Sequence, residues 1–309
     1  MDSIQRQKQA YRSLPLGYYH LCSDGWQTGK LFHTDEQFAF GVAGLAISTL
    51  RFGVKIYAYE LMPNHFHILL SATGSQCLDI FFTLVRRINK RLRDDGFPCL
   101  PEDYWFKLVP VETKEQMRDL LVYLARNKYE KGICTPFGHM WGTGYLVYNQ
   151  IAQLISGTKV KDIPIRDVER LVGSRMPLPD DWEIHPLLGV LPKRFVYTDK
   201  VLELFPSVKE YVTRVVKQYE SLVKIAETVG ESVEWSEPEA KDLLFKLCDN
   251  LFPGKHLHEL TADEKGRIAV QADHLYHLPL PLLSQLLKLP EYVVRQFLQS
   301  KDYGLRKRK

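Results

Sequence analysis

Two histidines separated by one residue are the part of this sequence best suited to chemistry. His65 and His67 follow a Met-Pro-Asn turn at residues 62–64. In a β-strand, residues i and i+2 lie on the same face with their Cα atoms roughly 6.5 Å apart. The two imidazoles can therefore bind one divalent metal ion. Such an ion would act as a Lewis acid on a phosphoryl oxygen, and the second ring nitrogen of each histidine would bind an orienting partner.

The residues around this pair follow the pattern of two strands joined by a turn. Apolar and more polar residues alternate through residues 54–59, and apolar residues resume with a period of two after the turn. The pair then has either a metal-binding or catalytic role or a purely structural one on a half-buried sheet face. A second pair, His256 and His258, lies in a short loop where no rigid element fixes the spacing, so we do not expect it to bind metal.

Residues 58–70, with the sequence AYELMPNHFHILL, resemble the signature of the single-tyrosine HUH transposases, in particular the REP-associated tyrosine transposase branch. In that family a His-hydrophobe-His motif follows a Met-Pro-Asn turn. The resemblance extends over residues 18–148: residues 19–23 are similar to the family's first strand, 35–52 to its first helix and 78–93 to its second. It implies an α+β fold, a ferredoxin-like HUH domain in which an antiparallel sheet carries helices on one face.

The family's nucleophile is a tyrosine on a later helix. Residues 114–131 have apolar residues at helical spacing, and Tyr123 and Asn127 lie one turn apart on the same side. By residue type alone, Tyr123 would be an aromatic residue at the boundary of the core. The stretch 123–127 nevertheless resembles the family's Tyr-x-x-x-Asn, which implies that Tyr123 attacks DNA and that Asn127 assists at the metal. Tyr129 lies on a different helix face and is the lesser candidate.

The sequence departs from the family pattern in two places. Lys128 follows Asn127 where many members have proline, and residues 140–145 resemble the family's Trp-Ser-Ser-Tyr element with changes in its middle. All the residue types that the chemistry needs are nevertheless present. The resemblance thus still implies an active enzyme rather than a degenerate copy.

The implied reaction is cleavage and rejoining of a DNA strand. A metal held by His65 and His67, implied to be Mg²⁺ or Mn²⁺, would neutralise one phosphoryl oxygen. Tyr123 would form a 5′-phosphotyrosine while a 3′-hydroxyl leaves, and the implied substrate is single-stranded or hairpin DNA. Two alternatives stay open: a DNA-binding regulator that keeps the fold but does not cut, and a metal-dependent phosphodiesterase without a covalent step.

A basic stripe gives separate support for a nucleic-acid substrate. Five cations fall on or beside one helical face, where they could follow phosphates; they are Arg86, Arg87, Lys90, Arg91 and Arg93. A solvated helix face is the alternative interpretation. The formal net charge of +4 and the 12% aromatic content agree with DNA binding but do not establish it.

Length and composition bound the remaining possibilities. A chain of 309 residues predicts about two domains: a catalytic domain over residues 1–150, a connector over 151–200 that proline and glycine punctuate, and a helical domain over 201–309. The five cysteines are scattered without a Cys-x-x-Cys motif, which predicts neither disulfides nor a zinc ribbon and favours the reducing cytoplasm. No apolar run approaches 18 residues, so no membrane span is expected, and a homodimer is left open.

The C-terminal part is predicted to be all-α. Helices are expected over residues 207–229, 237–252, 261–275, 281–288 and 290–300, and the last three have the spacing of a helix-turn-helix. Arg295, Gln296 and Gln299 would face outward to DNA from the recognition helix, with a basic tail at residues 306–309. The alternatives are a helical bundle that does not touch DNA and, for His274 and His277, packing at the bundle surface rather than metal binding.

Overall fold

The computed structural model describes residues 3–25, 29–126, 139–144, 154–217, 220–233 and 235–300. The chain forms two compact units: Met1–Tyr129 with Cys134–Lys217, and Glu130–Ile133 with Gln218–Lys309. The first unit contains helices and strands, so the α+β class is confirmed, whereas only helices are described in the second. Within the described residues, no helix combines the length and the apolarity needed to cross a membrane.

The first unit contains a four-stranded antiparallel sheet with the strand order β2-β3-β1-β4. After a helix α1 (Ser3–Arg12), its elements follow the order β-α-β-β-α-β: β1 (Gly17–Ser23), α2 (Asp35–Phe52), β2 (Lys55–Leu61), β3 (Phe66–Ala72), α3 (Gly74–Asp94) and β4 (Phe106–Pro110). The predicted strands and both predicted helices are confirmed. The sequence interpretation missed α1 and β4.

Local signals explain where the two long helices begin and end. The Thr34 hydroxyl accepts a hydrogen bond from Gln37 N–H at the start of α2, and Gly53 ends the helix with a φ of 64°. Helix α3 begins with a capping box, in which Thr73 and Gln76 satisfy each other's backbone N–H groups. These caps orient the helices that cover one face of the sheet.

Strand alternation gives the sheet two different faces. On one face, apolar residues such as Leu21 and Ile68 pack against α2 and α3, and the Phe81 ring of α3 lies 4.3 Å from the Phe106 ring. The other face is also covered, by the helix α4 (Lys114–Arg126), whereas the resemblance implied helices on one face only. Helix α4 carries its own apolar stripe, with Leu120 and other residues buried, and burying this stripe favours its position on the sheet.

Residues 154–217 form part of the first unit rather than a connector. They contain β5 (Thr158–Lys159), α5 (Ile165–Val172), β6 (Glu183–His185), β7 (Gly189–Val190), α6 (Thr198–Leu202) and α7 (Val208–Lys217), and the three strands form a small sheet. Buried Glu183 accepts a hydrogen bond from Gly157 N–H and pairs with Lys193 and Arg194. These partners lower the pKa of Glu183 to about 2. The prolines therefore separate short packed elements and do not mark a linker.

The second unit is helical where it is described: α8 (Glu220–Val229), α9 (Glu237–Leu251), α10 (Ala262–Tyr276), α11 (Leu280–Leu287) and α12 (Glu291–Gln299). Of the predicted helix over 207–229, the described parts are helical: α7 belongs to the first unit and α8 to the second, and residues 218–219 lie outside the described residues. Helices α10 and α12 approach closely because Gly266 has no side chain; a Cβ atom there would clash with the Phe297 ring. Lys288, with a φ of 53°, begins the turn between α11 and α12.

Candidate functional site

The second face of the sheet collects polar side chains from three strands. His67 on β3 lies opposite Cys22 on β1 and opposite Glu60 on β2. Because residues two apart share a face, His20 and His65 point to the same side as His67. All five side chains are buried. The sequence interpretation identified His65 and His67 but missed the other three; the i, i+2 spacing of His20 and Cys22 on a predicted strand was the available signal.

The turn between β2 and β3 is held on both sides, which orients the two predicted histidines. Met62 N–H donates to His65 C=O at 2.8 Å and closes the turn. Phe66, between the histidines, donates its N–H to the Ser23 hydroxyl at 2.9 Å, and that hydroxyl also accepts from Tyr104. The start of β3 is therefore held by the backbone and by β1, so His65 and His67 occupy defined positions.

The three histidines form a continuous hydrogen-bonded series with Asn64. His65 Nδ1 lies 2.9 Å from Asn64 Oδ1, His65 Nε2 lies 3.0 Å from His67 Nε2, and His67 Nδ1 lies 3.0 Å from His20 Nε2. Asn64 donates from Nδ2 to Gly25 C=O at 3.0 Å, so its Oδ1 atom is the acceptor for His65. A side chain at Gly25 would crowd His65 and Asn64, which explains the glycine.

This series assigns a proton to each ring, because a neutral imidazole has one N–H and one lone pair. His65 carries its proton on Nδ1 and donates it to Asn64. His65 Nε2 is then an acceptor, so His67 donates from Nε2, and His67 Nδ1 accepts from His20 Nε2–H. Burial lowers the pKa of His67 to about 3, so this ring is neutral and keeps a lone pair throughout the physiological pH range.

A metal ion fits beside His65 and His67. Their Nε2 atoms are 3.0 Å apart, the separation expected for two ligands at right angles with bonds of about 2.1 Å. Asn64 already orients His65, and His20 can accept a proton from His67 Nδ1 once His67 uses Nε2 as a ligand. Buried histidine and cysteine side chains on this face can therefore hold a metal ion.

Tyr123 is brought to the same face by α4. Its ring lies 5.6 Å from the His67 ring at 90° and 6.4 Å from the His20 ring at 70°, both edge-on contacts. Its side chain is buried, with 5% exposure. The structure thus places the predicted nucleophile beside the predicted metal ligands. Asn127 and Tyr129 lie outside the described residues, so their roles stay predictions.

Residues 141–144 line the free edge of β2 next to this face. Trp141 C=O accepts from Leu61 N–H at 3.1 Å, and the Thr143 hydroxyl accepts from Tyr59 N–H at 2.7 Å. A Cβ atom at Gly142 would clash with the carboxylate of Glu60. The altered middle of the Trp-Gly-Thr-Gly segment therefore accommodates the buried Glu60 side chain.

The predicted basic stripe lies on α3, which covers the face opposite the histidines. Arg87 is directed inward: its guanidinium donates to Val172 C=O at 2.5 Å and Gly173 C=O at 3.2 Å and lies 4.4 Å from the centre of the Phe40 ring. Burial lowers the pKa of Arg87 to about 10. The Arg87 donors bind backbone carbonyls at the C-terminal end of α5, and its role in DNA binding stays a prediction.

The other four cations of the stripe do not donate to distant backbone carbonyls in the way that Arg87 does. Lys90 and Arg91 form i, i+4 ion pairs with Asp94 and Asp95, and such surface pairs contribute little to stability. Arg86 bonds to its own helix at Phe82 C=O. Arg86, Lys90 and Arg93 are exposed, and their role in binding phosphates stays a prediction.

Replacing Arg87 should lower stability rather than act directly on DNA. We expect Arg87→Met to reduce the free energy of unfolding by about 1.5–3 kcal/mol, the range for hydrogen bonds to a charged group. The matched control Arg86→Met, on the exposed side of the same helix, should change it by less than about 0.5 kcal/mol. Urea denaturation of both variants measures the difference, and equal stabilities would refute the structural role of Arg87.

The remaining predicted residues lie in the second unit. The rings of His256 and His258 stack 5.7 Å apart in an exposed loop. In the part of the chain that is described, no third histidine, cysteine or carboxylate completes a metal-binding group with them. His277 pairs with Glu227 at 2.8 Å. The three residues predicted to read DNA from α12 are all exposed: Arg295, Gln296 and Gln299.

No protein-family model matches the chain, and no curated protein or solved structure matches it significantly. A function for this face of the sheet is therefore argued from its own residues: three buried histidines in hydrogen-bond contact and a tyrosine whose ring packs on two of them.

Proposed function

We propose that the protein is a metal-dependent enzyme that cleaves and rejoins single-stranded or hairpin DNA, of the single-tyrosine HUH transposase class. One observation carries the proposal. Tyr123 packs on His67, next to His65, although more than fifty residues of chain separate the tyrosine from the pair. The β-α-β-β-α-β order with its β2-β3-β1-β4 sheet is the arrangement of a ferredoxin-like domain, which also supports this class.

Each residue has a defined task in the proposed reaction. A Mg²⁺ or Mn²⁺ ion at His65 and His67 would supply Lewis-acid chemistry at a phosphoryl oxygen. Asn64 and His20 hold the two ligand rings in orientation through their other nitrogens. Tyr123 Oη loses its proton to solvent as it forms the bond to phosphorus. The 3′-oxygen of the DNA leaves with the electron pair of the broken bond and takes up a proton to become a 3′-hydroxyl. The phosphotyrosine linkage conserves a phosphodiester that another DNA end can accept.

The burial of this face favours a second candidate function. His67 is fully buried and Tyr123 is 5% exposed, so a DNA phosphate reaches their polar atoms only if the groups that cover them move. A DNA-binding regulator that keeps the fold without cutting needs no such movement. A metal-dependent phosphodiesterase is the third possibility, and it needs the metal ligands but not the nucleophilic tyrosine.

Incubation with a library of single-stranded hairpin DNAs tests the three functions together. The full-length protein is incubated with Mg²⁺ or Mn²⁺, and denaturing gels separate free DNA from protein-linked DNA. A metal-dependent covalent adduct is the result expected of a transposase. Cleavage without an adduct would favour the phosphodiesterase, and binding without cleavage under every metal condition would favour the regulator.

A recognition role for α12 predicts a change in the salt dependence of DNA binding. Removing one phosphate contact lowers the slope of log affinity against log salt by about 0.7–0.9, so we expect this change for Arg295→Ala. Gln296→Ala and Gln299→Ala should weaken binding without altering the slope. Lys241→Ala removes one exposed cation from α9 in the same unit and is the matched control. Equal slopes for Arg295→Ala and Lys241→Ala would refute the recognition role.

A further inference from the structure

The His67 ring has two nitrogen atoms that can bind a metal ion, and each faces different side chains. Its Nε2 atom faces His65, whereas its Nδ1 atom faces His20 Nε2 at 3.0 Å. Cys22 is paired with His67 across the two strands. One ligand atom each from His20, Cys22 and His67 lies within 4.8 Å of the others, and all three side chains are buried. The Nδ1 edge of His67, which the proposed reaction does not use, therefore faces one imidazole nitrogen from His20 and one sulfur from Cys22.

We propose that His20, Cys22 and His67 form a second metal site, for a thiophilic divalent cation such as Zn²⁺, and that its occupation excludes metal from the His65–His67 pair. Two imidazole nitrogens and one thiolate are the ligands of a three-residue zinc site with an open fourth position. A thiolate selects soft cations, whereas Mg²⁺ and Mn²⁺ prefer oxygen ligands. The second half of this inference rests on the proposed function, because it assigns the catalytic metal to the pair.

The two metal ions exclude each other because a neutral imidazole has a single lone pair. When His67 binds zinc through Nδ1, its proton stays on Nε2 and is donated to His65, as in the present structure. When His67 binds the catalytic metal through Nε2, its proton must be on Nδ1. In either state the neutral ring offers one lone pair, so the two ions compete for His67 as a ligand.

The proton balance of zinc binding is defined by the three ligands. The Cys22 thiol loses its proton to solvent as the Zn–S bond forms. His67 Nδ1 already presents a lone pair, and the His20 proton shifts from Nε2 to Nδ1 without leaving the ring. Binding therefore releases one proton and oxidises nothing.

Cobalt absorption tests the second site independently of activity. Co²⁺ replaces Zn²⁺ and shows an intense thiolate-to-metal charge-transfer band when sulfur is a ligand. The band is expected in the wild-type protein, and Zn²⁺ should abolish it by displacing Co²⁺. It should persist in His65→Ala, because that variant lacks only a ligand of the other site. Cys22→Ser and Cys22→Ala should lose it. Cys99→Ser, which changes an exposed free cysteine, should keep it. A missing band in folded wild type, or a band that survives both Cys22 variants, would overturn the second site.

Inhibition of cleavage by Zn²⁺ tests whether the second site excludes metal from the His65–His67 pair. Each variant is compared with itself, with and without Zn²⁺, in the Mn²⁺-dependent cleavage assay. Loss of an outer-shell partner costs about 10- to 100-fold in metal affinity, so loss of the Cys22 ligand should raise the half-inhibitory zinc concentration at least about tenfold. An unchanged value in Cys22→Ser and Cys22→Ala would overturn exclusion.

The two proposals fail in different ways. If the protein never cuts DNA, competition is measured instead by whether Zn²⁺ displaces bound Mn²⁺, followed by the Mn²⁺ spin-resonance signal. If Mn²⁺ stays bound while Zn²⁺ occupies the Cys22 site, the proposed exclusion is overturned, and this result does not depend on catalysis. Absence of the Co²⁺ band from wild-type protein that cleaves DNA would overturn the second site and leave the proposed function standing.

Discussion

Tyr123→Phe is expected to abolish covalent attachment to DNA while the protein still binds its substrate. Phenylalanine keeps the ring that packs on His67 and His20 and removes only the oxygen that would attack phosphorus. Because one hydrogen bond contributes about 1 kcal/mol, DNA affinity should change by less than about fivefold. Denaturing gels measure the adduct, and a filter or gel-shift titration measures binding.

Two further tyrosines make this experiment decisive. Tyr19→Phe removes a hydroxyl from the same sheet, where it donates to Pro15 C=O, and should form adducts as the wild type does. Tyr129→Phe tests the lesser candidate. An adduct formed by Tyr123→Phe but not by Tyr129→Phe would transfer the nucleophilic role to Tyr129. Adducts in neither Phe variant nor the wild type, with DNA still cut, would identify the phosphodiesterase.

His65→Ala and His67→Ala are each expected to reduce metal-dependent cleavage at least about 100-fold, because Lewis-acid stabilisation is worth several kcal/mol. His256→Ala and His258→Ala should have no such effect. In the first pair, His67 lies on β3, His65 directly precedes this strand, and hydrogen bonds to Asn64 and His20 orient the two rings. The second pair lies in an exposed loop. Cleavage rates are measured over a Mn²⁺ titration.

The fully buried position of His67 requires a control for folding. His67→Gln keeps a polar side chain of similar length, and its thermal melting curve shows whether lost cleavage reflects a lost ligand or a disrupted sheet. Chelation of the metal from the wild-type protein should reproduce the loss, and added Mn²⁺ should reverse it. An equal loss from both histidine pairs, in protein that melts like the wild type, would mean that the metal lies elsewhere.

Local features of this chain were predictable because the interactions that create them lie within a few residues. The turn at residues 62–64 and the strands on either side follow from proline, asparagine and a period of two. The bounds of α2, which the family resemblance implied, agree with the structure to the residue. Strand β4 was missed because it is a five-residue edge strand that ends in proline, and such strands give a weak signal. Its pairing with β1 depends on a partner more than eighty residues away.

The sequence by itself determined which residue types are available for chemistry: the His65–His67 pair, a helical tyrosine and a set of cations. Only the tertiary structure decided which of them meet. His20 and His67 are 47 positions apart and share a hydrogen bond because of strand register, and Arg87 donates to a carbonyl about 85 positions away. The periodicity of the sequence predicts which face of a strand or helix a residue occupies. Its partner on that face depends on the packing of distant segments, which a local pattern does not predict.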